Sequence, residues 1–299
     1  MKDARFTRYA VFALLYNVFV VLLGAVVRAT ESGAGCGADW PACRGAVIPS
    51  DGTVETAIEF AHRATSGIAL VVVAVLAVWA VRTRPRGDSA RLMALISGVL
   101  IFNEALLGAA LVLFEWVADD ESIGRVVSTV AHLANTFLLL GSLALTAWFA
   151  DGRPSPRRPF AATQWRAARI GAVALLLVGA AGAITALGDT LFPPTSVGAG
   201  LLDDLGGTFI VRLRWIHPIL AIATAAYIWW FARANDPDGV PGRWLENAVY
   251  TQVIVGVVNI ALLAPIWLQV VHLLIADVLW ISFVLVATQS LVESERVLS

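Results

Sequence analysis

Eight apolar stretches of about 20 residues each dominate this chain, running over 10–27, 61–81, 92–114, 126–149, 168–187, 213–232, 245–265 and 268–290. A bilayer core is crossed by about 20 apolar residues in helical form. Inside lipid, a helix satisfies its own backbone hydrogen bonds. The expected fold is therefore an all-α membrane protein with eight transmembrane helices. Composition agrees: only 14% of the 299 residues are charged, against about 25% in a soluble domain. Lys2, Arg5 and Arg8 precede the first run as in a cleaved signal. That run spans 18 residues, Ala10 to Val27, longer than a usual signal core, and it is read as a retained helix. Between the last two runs, "APIW" at 264–267 places Pro265 where it is expected to end the seventh helix.

Basic residues set the orientation. With the N-terminus inside, 15 of the 21 Lys and Arg fall in inner segments. Arg28, Arg44, Arg63, Arg125, Arg212 and Arg214 fall outside. Both termini are therefore expected inside. The long segments 28–60 and 188–212 and the acidic "ADDES" at 118–122 are expected outside. The net charge is −1 and no basic tract offers a nucleic-acid surface. Most of the 11 tryptophans lie near the ends of the runs, as an aromatic belt at the lipid interface would.

The chain also repeats itself. "LLGAVVRAT" (22–30) matches "LVGAAGAIT" (177–185), pairing Gly24 with Gly179, and the same offset of 155 carries His62 onto His217. "NEALLGAAL" (103–111) matches "TQVIVGVVN" (251–259), pairing Gly108 with Gly256 and Glu104 with Gln252. "HLANTF" (132–137) matches "HLLIAD" (272–277), pairing His132 with His272. The matches keep one order, four helices followed by four helices. Two pseudo-symmetric four-helix bundles are expected, 1–150 and 151–299, related by an axis along the membrane normal.

The four histidines, His62, His132, His217 and His272, each open an even-numbered helix on its outer side. Intramembrane ionisable residues are functional by default, and these four fall at matching repeat positions. Zinc would want further cysteine or carboxylate ligands. Haem iron wants two axial ligands and an apolar surround. Two haem sites are expected, His62 with His132 and His217 with His272. Both lie at the same outer depth, which argues against a wire carrying electrons across the membrane.

At this point the residues resemble the haem A synthase family. "GAVVRATESGAGCGADWPACRGAVIP" (24–49), with its C-x-x-D-W-P-x-C core, resembles that family's first outer segment. "EFAHR", "AHL", "WIHP" and "HLLIADVLW" resemble its histidine helices. The resemblance implies an enzyme of the cell membrane that oxidises the C8 methyl group of haem O. Successive hydroxylations would give a geminal diol, which loses water to the formyl group of haem A. It implies that His62 and His132 hold the substrate haem, and that His217 and His272 ligate a resident haem b. It further implies haem O synthase as donor and terminal oxidase assembly as acceptor.

Glu59 matches the family's glutamate three residues before the first histidine. At i and i+3, Glu59 and His62 share a helix face, so the carboxyl can serve as an acid, base or cation-stabilising group beside the haem. Its bland alternative is a capping carboxylate. Cys36 and Cys43 match members with a cysteine pair in this loop. They are expected to form a disulfide on the oxidising side, either structural or exchanging with an external thiol. Arg28 is placed to meet a haem propionate. Glu104 and Asp277 are the acids deep in helices, and Glu104 reads as a protonated interhelical hydrogen-bonder. The rival readings are a b-type cytochrome in quinol chemistry, a thiol oxidase built on the cysteines, and a haem carrier.

Overall fold

A computed structural model describes residues 3–50, 52–156, 162–196, 198 and 209–297. Eight long helices follow one another: α1 (Ala4–Ala29), α2 (Val54–Thr83), α3 (Ser89–Leu113), α4 (Ile123–Ala150), α5 (Ala162–Leu191), α6 (Ile216–Asn235), α7 (Val240–Ala261) and α8 (Ile266–Val297). A 3-10 turn at Ser32–Ala34 follows α1. A single helical turn at Phe209–Arg212 and a 3-10 turn at Leu213–Trp215 lead into α6. Among the described residues there is no strand, only an isolated bridge between Cys43 and Ala46. Seven of the eight helices are long and apolar enough to cross a membrane. The exception is α7, whose Glu246, Asn247, Gln252 and Asn259 dilute its apolar residues. The chain is a multi-pass membrane protein.

The helices start earlier than the apolar runs because polar caps lie upstream of them. Asp3 accepts from the backbone N–H groups of Arg5 and Phe6, and Thr53 accepts from Thr56. Asp88 accepts from Arg91, and Ser122 from Arg125. Each satisfies a donor that the helix leaves open. Thr53, six residues upstream, thus caps α2, and Glu59 does not. The link after α7 corrects one expectation. The helix ends at Ala261, and Leu263 and Ala264 take left-handed φ of 59° and 52°. Pro265 then opens α8, its carbonyl accepting from the N–H groups of Leu268 and Gln269. Proline suits that end of a helix because its missing donor is unused there.

Helices α1 to α4 pack in sequence, with α1 closing onto α4. Helices α5 to α8 do the same, with α5 closing onto α8. The two groups meet where α1 and α4 face α5 and α8. One apolar cluster joins Phe6, Val73, Leu76, Leu139 and Leu143, and a second joins Leu140, Ile228, Phe231, Phe283 and Val286. Lipid is as apolar as these side chains, so close packing holds the helices together more than exclusion of water does. Alanines supply that closeness: Ala10, Ala13, Ala80, Ala90 and Ala94 are fully buried at the contacts of α1, α2 and α3. At the α4–α8 contact, Trp280 stacks on Phe137 with centroids 5.5 Å apart and donates its indole N–H to the Phe137 carbonyl. Gly141 admits it, since a Cβ there would lie 3.2 Å from the indole nitrogen. Leu15, Val99, Ile219, Ile222 and Val257 stay exposed on the outside of the bundle, where lipid would cover them.

Candidate functional site

All four histidines lie within the first three turns of α2, α4, α6 and α8. Each ring packs against a glycine on the helix before it. A Cβ at Gly24 of α1 would lie 3.0 Å from His62 Cε1, and one at Gly182 of α5 would lie 3.0 Å from His217 Cε1. A Cβ at Gly256 of α7 would lie 3.2 Å from His272 Cε1, while Gly108 of α3 leaves 3.8 Å to His132 Nε2. At Gly24, Gly182 and Gly256 a methyl group would crowd the imidazole, whereas at Gly108 it would make ordinary contact. Each histidine thus has a glycine of the preceding helix as a neighbour. One alignment is corrected: Gly182, not Gly179, faces His217, and Gly179 packs against Phe137.

The ring nitrogens are used unequally. His217 Nδ1 lies 3.1 Å from the Val178 carbonyl, which makes it the donor and leaves Nε2 with a free lone pair. His272 Nε2 lies 3.1 Å from the Gln252 amide nitrogen, and its Nδ1 is buried without a partner. Turning the Gln252 amide over brings its otherwise unpartnered Oε1 onto an Nε2–H and leaves the Nδ1 lone pair open. His132 Nδ1 lies 2.8 Å from Glu104 Oε1, the carboxylate standing off the axis of a ring N–H. His62 Nδ1 is buried with no partner. His62, His132 and His272 thus each bury an Nδ1 with no hydrogen-bond partner among the described residues, an arrangement that is costly in an apolar bundle unless a ligand takes it up.

The His217 and His272 rings stand 6.4 Å apart, centre to centre, and nearly perpendicular. These two residues would be the ones to hold a haem iron on this side. Among the described residues no three His, Cys, Asp or Glu side chains converge on one point. This donor set fits a metal macrocycle with two axial imidazoles.

Glu59 is 3% exposed, but its carboxylate is engaged. Oε2 accepts the Cys36 N–H at 2.6 Å, and Oε1 accepts from Arg63 Nε at 2.9 Å. Arg63 also donates to the carbonyls of Asp39 and Ala42. Cys36 and Cys43 form a disulfide, and both are buried. The N-terminal part of α2 thus clasps the disulfide loop through Glu59 and Arg63, with His62 between them in sequence. Arg63 was legible as an i+4 partner of Glu59, but the sequence reading used it only as an outer charge. Arg28 is not left open for a propionate. It donates to the Ala186 carbonyl, Thr190 and Gln269, tying α1 to α5 and α8. Asp277 is fully buried, and neither oxygen has a partner.

A family model described as cytochrome oxidase assembly protein, COX15-CtaA, matches residues 7–284. A Thermus thermophilus protein named protoheme IX farnesyltransferase is 45% identical over 302 aligned positions, covering 97% of this chain and 50% of that protein. A heme A synthase from Halalkalibacterium halodurans is 40% identical over 139 positions, covering 46% of this chain and 45% of that protein. Another, from Alkalihalophilus pseudofirmus, is 40% identical over 106 positions, or 36% of each. The chain spans about half the length of the curated relatives it matches.

The glycine cradles can be tested directly. Gly24→Ala and Gly182→Ala should displace their imidazoles by a few tenths of an ångström and lower the histidine-ligated Soret absorbance per protein. Gly67→Ala, where a Cβ meets nothing within 4 Å, should leave the absorbance intact and stabilise α2 by up to about 1 kcal/mol. Equal absorbance in all three would mean the cradles do not hold the rings.

Proposed function

The chain belongs to the COX15-CtaA family of cytochrome oxidase assembly proteins, and from that premise we propose that it is a haem A synthase. It oxidises the C8 methyl group of haem O to a formyl group, giving haem A for terminal oxidases. The observation that carries the reading is the set of four histidines, each beside a glycine of the preceding helix, three of them with Nδ1 buried and unpartnered among the described residues. Relatives named heme A synthase match parts of the chain.

Residues 1–150 form the substrate half, in which His62 and His132 hold haem O. Residues 151–299 form the cofactor half, in which His217 and His272 hold haem b. When bound, haem b supplies one-electron transfer. His217 presents Nε2 because the Val178 carbonyl takes its other nitrogen, the arrangement by which a neighbouring acceptor fixes a ligand's tautomer. The pseudo-symmetry of the halves is supported by the repeated glycine–histidine pairs and by Glu104 and Gln252 approaching equivalent histidines.

Glu59 is the proposed catalytic carboxylate. Held by the Cys36 N–H and Arg63 one turn from His62, it accepts or returns a proton beside the substrate when Arg63 yields its contact. The buried disulfide favours a structural role for Cys36 and Cys43 over exchange with an external thiol, because exchange needs access. A haem O synthase supplies the substrate. This is supported by Thermus relatives named protoheme IX farnesyltransferase that align to this chain over half their length. The protein sits in the cell membrane, termini inside and disulfide loop outside, as the basic residues indicate.

Expressed in membranes that accumulate haem O, the chain should produce haem A, read by acid extraction and chromatography. Haem b alone, with haem O unchanged, would instead identify a b-type cytochrome. Glu59→Ala should keep its absorption spectrum yet cut haem A by about 100-fold or more, the scale of a lost acid–base group. Wild-type haem A in that variant would remove Glu59 from the chemistry. For orientation, Val47 is 86% exposed in the loop. Val47→Cys should react with a membrane-impermeant maleimide in intact cells, and labelling only after the membrane is opened would reverse the topology.

A further inference from the structure

We propose that an aromatic ladder on α1 seats the farnesyl tail of the substrate haem, so that the substrate is recognised by its tail as well as by its iron. This deepens the reading of residues 1–150 as the substrate half and rests on it. Tyr9, Phe12, Tyr16 and Phe19 follow one another along α1, with successive ring centres 6.1, 5.9 and 6.2 Å apart. Steps of three and four residues keep such side chains on one face of a helix. Phe12 and Phe19 are each 49% exposed, so the ladder is open to an apolar ligand along the outside of the bundle.

The ladder is tied to α2 and continuous with the histidine site. Tyr9 donates its hydroxyl to the Val72 carbonyl at 3.1 Å, and Tyr16 donates to the Thr65 carbonyl at 3.3 Å. Thr65 in turn donates to the His62 carbonyl at 3.1 Å. On α1 itself, Phe19 lies five residues before Gly24, which packs against the His62 ring. The rings therefore lead from the neighbourhood of that histidine toward the start of α1. From Tyr9 to Phe19 the helix rises about 15 Å, the reach of an extended farnesyl chain. Phenylalanine and tyrosine offer such a chain broad apolar faces.

Helix α5, the counterpart of α1 in the cofactor half, has no such ladder. The steps that lead from Gly24 back to Phe19, Tyr16, Phe12 and Tyr9 lead from Gly182 to Leu177, Ala174, Ile170 and Ala167. Haem b carries no farnesyl tail, so the half assigned to it needs no seat for one. An aromatic belt at the lipid interface would gather at helix ends, whereas Tyr16 and Phe19 lie in the middle of α1.

Titration of the purified protein, carrying its haem b, with haem O and separately with protohaem tests this, because protohaem lacks the tail. Binding is read from the Soret difference. Phe12→Leu combined with Phe19→Leu removes both exposed rings and leaves the two tyrosine ties in place. It should weaken haem O binding about ten-fold, the scale of one or two ring contacts, and leave protohaem binding and haem b content as in the wild type. Equal haem O affinity in variant and wild type would overturn the proposal, the ladder then being covered by ordinary lipid, while the haem A synthase reading stands. An equal loss of protohaem affinity would also overturn it, since the rings would then shape the site and not seat the tail. If the double variant does not retain haem b, each single substitution is titrated and judged by the same two results. A wild-type protein that binds neither haem would overturn the reading of the substrate half itself.

Discussion

A buried imidazole needs a partner for each ring nitrogen, and a bundle of apolar helices has few to offer. This protein provides one partner, or none, for each of its four histidines. Val178 serves His217, Gln252 serves His272 and Glu104 approaches His132, while His62 Nδ1 has no partner. The remaining nitrogens are the chemical content of the end of the bundle where α2, α4, α6 and α8 begin. The helix packing serves them too, since the glycines on α1, α3, α5 and α7 let the rings lie against neighbouring backbone. At the α1, α5 and α7 contacts a methyl group would push ring or helix aside.

Around this common scheme the halves diverge. On the α2 side a disulfide loop is clasped by Glu59 and Arg63, which couples that loop to the helix that carries His62. The second group has a stacked and hydrogen-bonded Trp280 seated on α4, so α8 is anchored across the interface between groups. Arg28 adds a third tie between them. A site that exchanges its occupant and a site that keeps it would be built in these two ways, one under a loop and one against a fixed helix.

Much of the architecture was legible because lipid imposes it. The eight apolar runs each lie in or against one helix, and the matched histidines fall at the same end of alternate helices. What the sequence hid depends on rotation and reach. Gly179 and Gly182 lie one turn apart, and only packing decides which faces His217. Pro265 reads equally as a stop or a start, and the left-handed residues before it settle the choice. Arg28 was read as an anion site because its partners, 158 to 241 residues away, are two side chains and a carbonyl with no charge signature. The polar network behind His132 was likewise hidden, because Asn103, Asn135 and Thr136 look unremarkable until two helices bring them together.

The central claim is that the two histidine pairs are separate sites with different occupants. Haem content per protein in the four histidine-to-alanine variants tests it most directly. His217→Ala and His272→Ala should strip most of the haem b and lower the yield, because an emptied slot leaves its walls without packing partners. His62→Ala and His132→Ala should keep haem b and abolish haem A. Equal loss of haem b from both pairs, or its loss from the N-terminal pair alone, would contradict the account.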